Sequence, residues 1–190
     1  MRAKQVQAAA AIGLIAGALA ACGESDKSPP EPPPGKVVAG ETETGMKLKV
    51  ETFFDPAKDA KLKKLADWRA ENRYPVVDFH RVTADNSSGQ TPDSGRTVRF
   101  SRDAAAISRG QSIEARFTCD ALQFEWVPVE PSDTERWKAL YEELCADGPP
   151  KQEGIEPGDR KVYYLVTDRG FSERGIRNMR IFGPRDVEFK

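Results

Sequence analysis

The chain's one histidine, His80, follows Asp78 by two residues in an alternating stretch, Val76–Val82, so a strand would place both on one face. A histidine beside an aspartate can act as a general base with its orienter. No nucleophile motif such as GxSxG accompanies the pair, which reads instead as a structural histidine. One histidine leaves too few soft ligands for zinc. Asp85-Asn86-Ser87-Ser88-Gly89 and Asp93-Ser94-Gly95 have calcium-loop residue types but lack the spaced acids and the terminal glutamate, and read as loop punctuation. Carboxylates abound, but spacing alone does not pair them for sugar hydrolysis. No catalytic residue, cofactor or metal site is therefore expected.

Charged residues suggest binding more than catalysis. From Cys119 to Asp159 the balance is −8, and from Arg160 to Lys190 it is +4. An acidic surface can steer a cationic partner, and Glu153, Glu156 and Asp159 are the exposed candidates for it. Arg169, Arg174, Arg177, Arg180 and Arg185 cluster near the C-terminal end. Arginines of a terminal hairpin could grip carboxylates or phosphates in bidentate fashion. Arg174, Arg177 and Arg180 are thus partner-contact candidates, with pairing to the domain's own acidic half the plainer reading. This basic stretch lacks interleaved aromatic residues, so nucleic acid is not an expected partner.

The N-terminal residues carry the most specific signal. Arg2 and Lys4 precede an uncharged run, Ala8–Ala21, that ends in Leu19-Ala20-Ala21-Cys22. The run is short for a permanent span, which needs roughly 20 apolar residues, and suits a signal peptide. Leu19–Cys22 resembles the lipobox of bacterial lipoproteins. That resemblance implies cleavage before Cys22, a diacylglyceryl group on its thiol and acylation of the new amino terminus. Several acyl chains together make a stable membrane anchor. Gly23 stands where an aspartate would resemble the inner-membrane retention signal. The resemblance thus implies a periplasm-facing protein on the outer membrane, the inner membrane being the lesser alternative. It covers residues 1–22 only; nothing in 46–190 resembles a known family.

Gly23–Gly45 holds Pro29, Pro30, Pro32, Pro33 and Pro34, five acids and no aromatic residue. Such a segment cannot bury enough apolar surface to fold. Residues 22–45 therefore read as an acylated cysteine followed by a disordered, polyproline-like tether. Met46–Lys190 then suits one domain. With Cys22 assigned to lipid, Cys119 and Cys145 remain, and an oxidising compartment favours a disulfide between them. Cys119 extends the inward face of a strand and Cys145 lies on a helical apolar stripe, so the bond would join helix to sheet.

The elements that must position these residues follow from periodicity. Lys47–Phe54 alternates as a half-buried strand. Asp55-Pro56 predicts a helix start, with the helix running to about Arg73 on a Leu62, Leu65, Trp68 stripe. Strands are predicted at Val76–Val82, Thr97–Ser101 and Gln111–Cys119, the last paired in a hairpin with Leu122–Val129. Ser132 and Glu135 match a capping box, opening a helix with Trp137, Leu140, Tyr141, Leu144 and Cys145 on its stripe. Lys161–Thr167 is apolar on both faces and reads as a central strand. Ile176–Phe182 and Asp186–Phe189 are terminal strands, and Asp103–Gly110 a helical turn. The expected fold is α+β, with one antiparallel-rich sheet, two main helices on one face and one disulfide.

This architecture and the lack of catalytic motifs predict a non-enzymatic, membrane-anchored protein-binding module of the inhibitor or immunity type. An accessory lipoprotein of an envelope or secretion machine is the alternative, and an envelope-acting enzyme the third reading.

Overall fold

In the computed structural model, residues 35–93, 97–101, 113–146, 154–169, 178–182 and 187–188 are described. Among the described residues nine strands form two antiparallel sheets. The first contains β1 (Val37–Glu41), β2 (Lys47–Glu51), β3 (Val77–Asp85), β7 (Arg160–Asp168) and β6 (Arg116–Phe117), in that spatial order. The second orders β5 (Ile113–Glu114), β4 (Thr97–Ser101), β8 (Asn178–Phe182) and β9 (Val187–Glu188). Three α-helices are described: α1 (Ala60–Glu71), α2 (Thr118–Phe124) and α3 (Thr134–Cys145). The expected α+β domain with a helical face and one disulfide is present.

Alternation along the long strands separates two cores. On β3, Val82 and Ala84 turn to one side and meet Val98 and Phe100 of β4, together with Leu48, Val50, Tyr163 and Leu165. Val77 and Phe79 turn to the other side, where Leu62, Leu65 and Trp68 of α1 and Leu122 of α2 cover them. The larger sheet is thus the middle layer, with helices on one face and the second sheet on the other. Leu62, Leu65 and Trp68 are fully buried, and each such side chain stabilises the fold by roughly 1.5–3 kcal/mol relative to exposure.

Local chemistry sets the element ends. Asp55 does cap a turn, but a 3-10 turn, Pro56–Lys58. Asp59 is the cap of α1, its carboxylate accepting from the N–H groups of Lys61 and Leu62. Tyr164 Oη also donates to Asp59, at 2.5 Å. Burial would raise the Asp59 pKa, yet these donors hold it below its ordinary value. Arg73 ends the helix in the left-handed region, with φ 57°, and the Tyr74 N–H returns to Arg69 O at 3.0 Å.

Several further expectations are corrected. Val37–Glu41, within the stretch read as tether, pairs with β2 in register Val38↔Val50; Gly45, at φ 84°, closes the hairpin. Val38, packed against the core, and a neighbouring strand outweigh the polar composition, so the fold reaches back at least to residue 37. Gln111–Cys119 is not one strand but β5 and β6, interrupted at Ala115, whose N–H crosses to Val98 O. Leu122–Val129 is not its hairpin partner: 118–124 is helical, with Ala121 and Leu122 buried and Phe124 72% exposed, so the period-2 reading of Leu122, Phe124 and Trp126 fails. Ser132 lies within a 3-10 turn, Pro131–Asp133, and α3 has no side-chain cap. The turn predicted at 103–110 lies outside the described residues, and β8 and β9 fall within the predicted terminal strands.

The disulfide joins Cys119 to Cys145, with Cα atoms 5.8 Å apart. Because Cys119 opens α2, the bond staples helix to helix, not helix to sheet. Trp137 Nε1 donates to Leu122 O at 3.0 Å and ties the same two helices. With a sequence separation of 26, the chain-entropy model gives a contribution of about 3.5 kcal/mol. A Cys119→Ala, Cys145→Ala double variant should lose stability on that scale in urea unfolding; a loss under about 1 kcal/mol would show that the helices hold each other without it.

Candidate functional site

His80 lies fully buried between the two sheets. Its Nδ1 accepts the Phe53 N–H at 3.2 Å, so Nε2 carries the proton and donates to Thr167 Oγ1 at 2.9 Å. The rings of Phe100 and Phe53 stand 4.6 and 5.3 Å away. Burial pushes the imidazole pKa down to about 3. Asp78, its neighbour on the same strand, accepts from Arg169 Nε at 3.0 Å. A histidine whose two nitrogens are both engaged and which stays neutral is a structural group.

Around the end of β3 lies a cleft of about 280 Å3 between α1 and the β2–α1 connection. Phe53, Phe54, Tyr74, Val77 and Phe79 give it apolar walls, and Asp55, Arg69, Asp78 and Arg169 its charges. The Phe54 N–H bonds Phe79 O at 2.7 Å and fixes the connection against the sheet. Phe53 holds φ 49° there, a left-handed conformation that costs roughly 1–3 kcal/mol for a bulky residue.

Arg69 is the unusual member of the cleft. It is only 4% exposed, and its guanidinium stacks over the Trp126 ring at 3.7 Å. Nη2 donates to Pro75 O, whereas Nη1, sealed from solvent, has no hydrogen-bond partner among the described residues. The nearby acids serve other arginines: Asp78 pairs with Arg169, and Glu125 and Asp168 pair with Arg116. Burial lowers the Arg69 pKa to about 10, so it stays a cation at neutral pH. An uncompensated buried charge costs several kcal/mol.

Beside the cleft, the α2–α3 connection forms an apolar ridge. Phe124, Val127 and Val129 are 72%, 49% and 92% exposed. Trp126, 5% exposed, is its root. The Trp126 N–H bonds Ala121 O at 2.8 Å, and Tyr74 Oη donates to Val127 O at 2.9 Å. Glu130 and Glu135 are exposed around it.

The sequence-derived candidates are distributed differently. Glu156 and Asp159 are exposed on the loop before β7, where Asp159 O accepts the Asn86 N–H at 2.8 Å. Arg180 is in β8, opposite Arg99 of β4 and Glu188 of β9. Cys22, Glu153, Arg174 and Arg177 lie outside the described residues. Arg169 pairs within the domain. Sequence reasoning missed Arg69 and the ridge. Arg69 follows Leu62 by seven residues and Leu65 by four, a charge on the apolar stripe, and that was its available signal. No family model matches the chain, and neither do curated proteins or solved structures.

The chain's single histidine gives a direct pH test. Its folded pKa is lowered, so the unfolded chain binds more protons as pH falls below about 6.5, and stability drops in that direction. His80 alone should remove about 2 kcal/mol between pH 7 and pH 5. Its imidazole NMR signal should not move between pH 8 and pH 5; a midpoint above 5 would contradict the sealed environment.

Proposed function

We propose that this chain is a lipid-anchored envelope protein that binds another protein, as an inhibitor or immunity-type module. The single observation behind the binding reading is the Phe124–Val129 ridge. Exposed apolar side chains cost solubility, and grouped ones mark interaction sites. These stand on a rigid mount: a buried tryptophan, a tyrosine hydrogen bond and a disulfide hold the backbone beneath them. Preorganisation of that kind lowers the ordering cost of association. The acids nearby favour a cationic partner surface and faster encounter with it. The lipobox-like Leu19–Cys22 supports the anchor and the periplasm-facing outer-membrane location.

The test is crosslinking in intact envelopes with the full-length chain tagged at its C-terminal end, beside a Phe124→Asp, Val129→Asp variant. Both positions are exposed, so the variant should unfold within about 0.5 kcal/mol of the parent. One dominant partner, lost from the variant and neutralised when bound by the parent, is the expected result. Several membrane-machine components would favour the accessory role instead. A partner set unaffected by the two aspartates would overturn the ridge as the binding surface. Blocking the anchor with Cys22→Ser should release the protein from the membrane fraction, and unchanged membrane retention would refute lipidation.

A further inference from the structure

The charges that line the cleft balance: Asp55 and Asp78 stand against Arg69 and Arg169, and Asp78 pairs with Arg169. What the cleft offers is open aromatic and aliphatic surface. Phe53, Phe54 and Tyr74 are half-buried, and Val76 is 46% exposed. Walls of this kind suit an uncharged, apolar occupant.

Gly35, the first described residue, lies at the edge of these walls. Before β1 the pairing with the next strand continues: Lys36 N donates to Thr52 Oγ1 and Thr52 N to Lys36 O, both at 2.9 Å. A β-carbon at Gly35 would lie 2.5 Å from Thr52 O and 3.4 Å from Phe53 O. No larger residue fits without shifting that pairing, so the chain passes hard against the backbone of a cleft residue. Pro34 follows within about 4 Å of Gly35. The residues leading to it are Pro29-Pro30-Glu31-Pro32-Pro33-Pro34, outside the described residues. A polyproline II helix repeats every three residues. In that conformation Pro29 and Pro32 share one edge, Pro30 and Pro33 a second, and Glu31 stands with Pro34 on the third. Two edges are wholly apolar, and the acid is on neither. Such a helix is already extended, so docking orders it at low entropic cost, and aromatic-lined grooves receive it.

We propose that the cleft is a receptor for a polyproline II segment, and that Pro29–Pro34 of the same chain is its occupant. The two proline edges pack on Phe53, Phe54 and Tyr74, and Glu31 faces solvent. Joined to the domain through one glycine, the segment meets the cleft as an intramolecular ligand at high effective concentration. Docked, it leaves residues 23–28 as the free spacer; released, it leaves the whole stretch up to β1. The inference does not rest on the ridge binding a protein, and it stands if the ridge reading fails.

The experiment is disulfide trapping in the full-length chain in detergent, with Cys22→Ser in every variant so that the two added thiols are the free ones. Pro32→Cys is paired with Ala70→Cys, an exposed α1 position that lines the cleft. The control pairs Pro32→Cys with Lys138→Cys, exposed on α3. Under a mild oxidant the cleft pair should close at least about tenfold faster than the control, the advantage of a held segment over one that samples freely. Peptide mapping identifies the new bond and verifies that Cys119 and Cys145 remain joined. Adding Pro29→Ser, Pro30→Ser and Pro33→Ser should remove the advantage, because a serine-rich segment of equal length starts equally close but has no apolar edge. Equal closure of the two pairs, or fast trapping at the cleft that survives the three serines, would overturn the proposal.

Discussion

The antiparallel pairing of β3 with β7 is the contact on which the other layers depend. It runs from Val77↔Asp168 to Asp85↔Arg160 without a break. Both strands are covered on two sides, so a shift of one residue would send each buried side chain into the wrong core. His80 would exchange with Phe79 or Arg81, placing a charge or a ring among unsuitable neighbours. Register is therefore enforced twice, once by the helices and once by β4. The cleft inherits that rigidity, since Val77, Asp78 and Phe79 are at once ladder residues and cleft walls.

Much of this arrangement was legible from residue types. Strands with strict alternation, such as β2, and the doubly apolar β7 were placed correctly because burial dictates their pattern. The stripe of α3 and the partnership of Cys119 with Cys145 followed from the same logic. The α2 segment was misread because Leu122, Phe124 and Trp126 happen to alternate. A seven-residue helix carries too little periodicity to compete with that coincidence, and only the exposure of Phe124 distinguishes the two. The β1 strand was hidden by composition: its neighbours are polar and proline-rich, and the pairing surface comes from β2. The second sheet also escaped notice, because periodicity shows that a face is covered but not by what.

The candidate site was less legible for a related reason. Arg69 is one of many cations in a chain with 29 lysines and arginines. What sets it apart is burial without a carboxylate bonded to it among the described residues, a property of packing. The pair Asp78–Arg169 spans 91 positions, too far for spacing to suggest. Residues that were singled out for their charge, Glu156 and Asp159, are on a solvated loop, where charge is the ordinary condition. The groups that stand out in this molecule are the ones whose residue type conflicts with their surroundings: a cation in a core and phenyl and isopropyl groups in water.

The β1 strand also bears on the anchoring proposed for Cys22. A chain folded from residue 37 leaves about a dozen residues between a lipidated Cys22 and the domain, where a tether to residue 45 would leave about two dozen. At ~3.1 Å per residue the extended reach falls from about 70 Å to about 40 Å. Under the proposed anchoring the domain would sample a layer beside the membrane little more than half as deep. Within that layer its local concentration would rise roughly twofold, so a partner working close to the bilayer would be met more often and one operating farther off would never be reached.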